Sequence, residues 1–205
     1  MNFSLSHRPS KDDEDDNKPA DSGIDRKLDS LIFESRKVFV VGDISHNLAR
    51  SVVMQLHALA AASDEPITMI VSSPGGHVES GDMIFDAIRF IKPKVIMIGS
   101  GWVASAGALI YVAAAKENRY ALPNTRFLLH QPSGGAGGQE SDIAIQAREI
   151  LRMRDRLNHI FAKETGQAFE KVEKDTDRDF WLSAAEAVEY GLVNKIIVRE
   201  TEISK

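Results

Sequence analysis

The chain has no cysteine among its 205 residues. That excludes disulfides, thiolate catalysis and Cys-ligated zinc. It also lacks a basic excess: 25 Lys and Arg stand against 30 Asp and Glu, a formal charge of −5. The electrostatic footprint of a general nucleic-acid binder is therefore missing, and no nucleic-acid partner is expected. The first 22 residues contain no apolar core of the kind a secretory signal requires. They carry the acidic run Asp12-Asp13-Glu14-Asp15-Asp16, the opposite of a transit peptide's composition. A cytoplasmic location is expected. Uncharged residues do run from Val95 to Ala115, about the length of a membrane span. That stretch divides into a β-branched run, a Gly99-Ser100-Gly101 break and a small-residue segment, so a buried strand and helix are expected, with no membrane association.

What remains is an ordinary globular balance of 43% apolar and 27% charged residues, enough chain to bury its own core. Residues 1–22 read as a flexible, acidic, solvated tail. Residues 23–205 read as one domain, without repeats or a later linker. Strands are expected at Lys37–Val41, Ile67–Val71, Val95–Ile98, Tyr120–Leu122, Arg126–His130 and Lys195–Val198. Helices are expected from a Ser45 cap to Ala62, after Gly76 up to the Pro93 stop, over Trp102–Ala115, and from Glu140 to Lys163. The last carries the stripe Ile143, Ala147, Ile150, Leu157 and Phe161. Ser183 to Glu186 forms a capping box, and Gly191 stops the helix it opens. Alternating strands and helices give an α/β fold with largely parallel strands.

Three places hold side chains suited to chemistry. Ser105, in Gly101-Trp102-Val103-Ala104-Ser105-Ala106-Gly107, lies near a helix start, where free N–H groups and the dipole favour a developing oxyanion. Val103 stands where a G-x-S-x-G elbow has its first glycine. His130 closes an apolar strand, and strand ends line crevices in α/β folds. Asp175, Asp177 and Asp179 could each orient a histidine, and the residues alone do not choose among them. A calcium loop starting at Asp175 fails because Phe180 occupies the obligatory glycine position. No His spacing matches a metal site. Ser73-Pro74-Gly75-Gly76 permits close backbone approach but matches no phosphate-binding pattern.

Taken in order, several motifs resemble the proteolytic subunits of the Clp ATP-dependent protease, a serine peptidase family. They are Ser73-Pro74-Gly75-Gly76, Phe90-Ile91-Lys92-Pro93, Ala104-Ser105-Ala106-Gly107, Leu122-Pro123-Asn124, His130-Gln131-Pro132, Ala147 to Leu151, Thr165-Gly166-Gln167, Asp175 to Asp179, and Leu182 to Val193. They span about residues 30–198. The resemblance implies a Clp protease/crotonase-like spiral of β-β-α units with a protruding handle helix. It implies Ser105 as nucleophile, His130 as general base and acid, Asp179 as its orienting carboxylate, and the Gly76 and Ala106 N–H groups as oxyanion donors.

It further implies two stacked seven-membered rings around a chamber, joined by the handle. There Asp142 and Arg178 match positions that pair across the rings. Unfolded polypeptides would be the substrates and an AAA+ ATPase unfoldase the partner. ATP would be consumed by that partner, with no cofactor or metal in this subunit. Thr68 and Ile70 stand where the family often has tyrosines in the pocket that receives the ATPase, and Ala106 replaces a common methionine. A sister proteolytic subunit is therefore a further expected partner. Two alternatives are a scaffold or regulatory ring subunit and a crotonase-fold acyl-CoA enzyme; neither needs Ser105, His130 and Asp179 together.

Overall fold

The computed structural model describes residues 23–132 and 137–203. The expected acidic tail, residues 1–22, lies outside the described residues, as does the glycine-rich Gly134-Gly135-Ala136. In chain order the elements are α1 (Gly23–Glu34), β1 (Lys37–Val41), α2 (His46–Ala62), β2 (Ile67–Ser73), α3 (Val78–Phe90), β3 (Val95–Ala104), α4 (Ala106–Tyr111), β4 (Arg119–Ala121), β5 (Arg126–Leu129), α5 (Glu140–Thr165), α6 (Phe169–Asp175), β6 (Phe180–Ser183), α7 (Ala184–Tyr190) and β7 (Lys195–Ile196). The sheet runs β1-β2-β3-β4-β7, all parallel, while β5 branches from β3 and pairs with an antiparallel β6.

Local chemistry accounts for several of the borders. The Ser45 hydroxyl accepts from the Leu48 N–H and starts α2, whose Val52, Leu56 and Leu59 are buried against the sheet. Ser183 and Glu186 complete the reciprocal cap of α7, and Gly191 ends it in the left-handed conformation. The cap's hydrogen bonds from Ser183 hold the exposed Glu186 carboxyl below its ordinary range. Val38, Val40, Ile67, Met69, Val71 and Met97 alternate inward along β1, β2 and β3. Helix α4 is buried at every residue.

Two expectations are corrected. The Gly99-Ser100-Gly101 break does not end the third strand, and the helix expected over Trp102–Ala115 is confined to Ala106–Tyr111. Gly101 bends β3 at φ 65°, but both halves remain paired. Val95–Gly99 lies against β2, with Met97–Gly99 also against β4, while Trp102–Ala104 lies against β5. A glycine kink survives in a strand when each side has its own ladder partner. The expected stripe of α5 is also only half packed. Leu157 and Phe161 are buried, but residues 140–149, with Ile143 and Ala147 among them, are exposed. The helix therefore roots in the core by its C-terminal half and projects its N-terminal half as a handle. Among the described residues, no helix is long and apolar enough to cross a membrane.

Candidate active site

Sheet register brings the candidate residues together. In the antiparallel β5–β6 pair, Leu129 faces Phe180. One step further along each strand are His130 and Asp179, and His130 Nδ1 lies 3.5 Å from Asp179 Oδ1. That is looser than a hydrogen bond of about 2.7–3.2 Å. Ser105 directly follows Ala104, which pairs with Leu128, and the Ser105 N–H donates to the Leu128 carbonyl at 2.9 Å. Ser105 and His130 line one cavity, floored by Leu109, Leu129, Leu157 and Phe161.

The three open aspartates are resolved by their partners. Asp175 accepts from the Tyr190 hydroxyl at 2.9 Å and from Lys171 at 2.6 Å. Burial and that carboxylate push the Tyr190 phenol upward. Asp177 faces Arg154 of α5 at 3.3 Å. Of the three, Asp179 alone is paired with His130.

Ser105 stands at φ 55°, ψ −121°, between the end of β3 and the start of α4. A serine with positive φ on a sharp strand-to-helix turn is the backbone device of a nucleophile elbow, reached here without the first glycine of G-x-S-x-G. Gly75 makes the turn feasible. A Cβ on Gly75, at φ 100°, would lie 2.6 Å from the Ser105 Cβ and 2.9 Å from the Ala104 carbonyl. Its N–H donates to the Ser73 hydroxyl at 3.0 Å, which holds the loop. Gly76, at φ 144°, lies so close to the Ile44 backbone that it has no room for a side chain. No hydrogen bond from the Gly76 N–H is found among the described residues. Ala106 opens α4, where helical N–H groups lack intrahelical acceptors. Gly75→Ala is expected to displace Ser105 and lower kcat/KM about 100-fold, the usual scale for an ångström's misplacement, as measured on a fluorogenic peptide.

Gln131 and Thr176 stood in the quoted motifs without a role, and Asn158 was not singled out. The Gln131 N–H donates to the Thr176 carbonyl at 2.7 Å, and its side-chain amide to the Asp177 carbonyl at 2.6 Å. Asn158 of α5 accepts from the Thr176 hydroxyl at 2.9 Å. These contacts hold the loop carrying Asp179. For Asn158 the visible signal is its i, i+4 spacing from Arg154, which faces the same loop. The strand β6 was also missed, although Phe180-Trp181-Leu182 has strand-forming composition. Arg178, with His130 and Asp179, lines an open cleft of about 690 Å³. Asp142 is in the exposed first turn of α5. Among the described residues, no three His, Asp or Glu side chains converge as metal ligands.

The family model described as Clp protease matches residues 23–200. The chain belongs to the Clp protease family. Similar relatives include the ATP-dependent Clp protease proteolytic subunit 2 of Pseudomonas aeruginosa, 65% identical over 196 residues, covering 95% of this chain and 98% of that one. Proteolytic subunit 3 of Rhizobium etli is 60% identical over 192 residues, covering 94% and 99%. The solved structure of ClpP1 from Listeria monocytogenes is 49% identical with a TM-score of 0.79, covering 86% of this chain and 99% of that one. The expected fold thus holds, with the handle helix and mostly parallel sheet of Clp protease structures. This chain is accordingly a proteolytic subunit of the ATP-dependent Clp protease, a serine peptidase.

Proposed function

We propose that Ser105, His130 and Asp179 form the catalytic triad of this subunit. The observation that carries the reading is the register-enforced facing of His130 and Asp179 beside the strained turn at Ser105. With Nδ1 turned to Asp179, Nε2 of His130 takes the Ser105 Oγ proton as Oγ attacks the scissile carbonyl. The Gly76 and Ala106 N–H groups receive the oxyanion. His130 then passes the proton to the leaving amine, and water resolves the acyl-enzyme by the same path. A fluorophosphonate probe with peptide mapping tests this. Label on Ser105 is the expected result, and an unlabelled, folded subunit would remove the serine mechanism.

The assembly reading rests on the handle. Ile143, Ile145 and Leu151 of α5 are large, apolar and exposed, which favours a second copy as their cover. We read this as two stacked seven-membered rings closing a chamber for unfolded polypeptides. Asp142 pairs with Arg178 across the rings. Arg178 adjoins Asp179, whose side chain is 67% exposed in the single chain, so ring contact tightens the 3.5 Å His130–Asp179 pair. Native mass measurement should show about fourteen subunits, the closed symmetric number for two such rings. An active monomer would refute the coupling.

The partner is an ATPase unfoldase, which consumes the ATP; the subunit itself needs no cofactor or metal and works in the cytoplasm. Phe90 is 82% exposed beside His57, suited to a docking aromatic. Thr68 and Ile70 supply no aromatic ring, although Phe39, paired with Ile70, is exposed. The relatives above are numbered subunits 2 and 3, which favours a sister subunit beside this one. A homo-oligomer should therefore degrade a tagged folded substrate weakly with a standard unfoldase, because a lost interface aromatic costs about 2 kcal/mol at a hot spot. Thr68→Tyr with Ile70→Tyr, or a sister ring, should restore degradation. Efficient ATP-dependent degradation by the unaltered homo-oligomer would contradict this.

A further inference from the structure

We infer that Arg89, Arg119 and Glu164 form a positioning network for Ser105, acting on the far end of the helix that Ser105 begins. The inference rests on Ser105 being the nucleophile. A non-glycine residue at φ 55° is held only where its surroundings over-determine it. Helix α4 has six residues, too few to be stable without tertiary anchors. One end is fixed by the Ser105 N–H bond to Leu128 and the close approach of Gly75.

The other end is gripped by two guanidinium groups. Arg119 donates Nε to the Ala114 carbonyl at 2.8 Å and Nη2 to the Val112 carbonyl at 3.0 Å. Arg89 donates Nε to the Ala113 carbonyl at 2.9 Å and Nη2 to Val112 at 3.3 Å. Three successive carbonyls, at the C-cap Val112 and in the turn just after α4, thus meet cations, which also complement the helix dipole. Glu164 bridges the pair, with Oε1 2.7 Å from Arg89 Nη2 and Oε2 2.5 Å from Arg119 Nη2. Its backbone carbonyl accepts from Arg119 Nη1 at 2.9 Å.

Arg119 is 0% exposed and the Glu164 side chain 12% exposed. Burial drags the Arg119 guanidinium downward, and Glu164 opposes that shift. Removing the carboxylate would leave the buried Arg119 cation without its counter-charge, beside the partly exposed Arg89 guanidinium, and an uncompensated buried charge is costly enough to shift its surroundings. The Val112–Ala114 carbonyls would move with them. Glu164 lies in the last turn of α5 and Arg89 in the last turn of α3. The network therefore joins the root of the handle to the helix bearing the nucleophile. None of its members touches the Ser105–His130 cavity.

The test uses the full-length subunit with Glu164→Gln, Glu164→Asp and Arg89→Lys. Readouts are kcat and KM on a fluorogenic peptide, and the rate of fluorophosphonate labelling at Ser105. Native mass and circular dichroism at the assay temperature report assembly and folding. Glu164→Gln should lower kcat and labelling rate together by about tenfold with KM within about twofold, the pattern of a lost transition-state arrangement. Glu164→Asp, which keeps the charge, should recover part of the rate. If Glu164→Gln does not fold, Arg89→Lys is read by the same criteria. A folded, assembled variant with kcat and labelling within about twofold of the parent overturns the network. For Arg89→Lys, so does a loss of activity that merely follows the loss of folded protein. Wild-type label on a serine other than Ser105 would instead overturn the nucleophile assignment beneath it.

Discussion

Ser105→Ala should reduce peptide hydrolysis by at least about 10⁴-fold while leaving folding and assembly intact, because removing a triad nucleophile leaves only binding and the oxyanion donors to act. The site explains why so much depends on one oxygen. Ser105 is held on a positive-φ turn that places it against the His130 cavity, and the neighbouring positions are Ala104 and Ala106. Among the described lining of that cavity, no other side chain carries a hydroxyl or thiol. Alanine fits the same turn with one atom fewer, so the fold has no reason to change. Turnover by single-burst peptide assay, with native mass as the control, reads the effect. Residual kcat near the parent value would mean that another residue attacks.

Asp179→Asn should lower kcat by about 10⁴-fold, through a histidine held in the wrong tautomer. Asn presents an amide where His130 Nδ1–H needs an acceptor, and the imidazole turns the wrong nitrogen toward Ser105. Asp177→Asn and Asp175→Asn supply the contrast. Asp177 is exposed and paired with Arg154, so its loss should cost activity far less. Asp175 secures Tyr190 and Lys171, so its loss should show in thermal stability before it shows in kcat. Equal loss of activity for Asp177→Asn in an assembled protein would mean that the facing of His130 and Asp179 is not the working contact.

The borders set by local chemistry were legible in the residues. Ser45, the Ser183–Glu186 box and Gly191 act within a few residues of themselves, and each stands where the pattern placed it. The alternating apolar positions of β1 and β2 declared their buried face for the same reason. Motif order identified the family, because short motifs kept in order over most of a chain are specific even when each alone is weak.

Local reasoning failed where pairing or packing between distant segments decides. Gly99 and Gly101 look like a strand's end, yet β3 continues because β5, more than twenty residues later, pairs with its second half. Ile143 and Ala147 share a stripe with Leu157 and Phe161, but only the last two meet a core. Periodicity reports an apolar face, not what covers it. The choice among Asp175, Asp177 and Asp179 was undetermined for the same reason. Each is an aspartate in a short acidic run, and only the antiparallel register of β5 with β6 turns one of them to His130. The family, the α/β class, the caps and the residue types available for acyl transfer can all be read from local patterns. Tertiary structure decided the strained turn at Ser105, the room Gly75 leaves for it, and the carboxylate that faces His130. Those depend on distances between segments far apart in the chain, which no local pattern encodes.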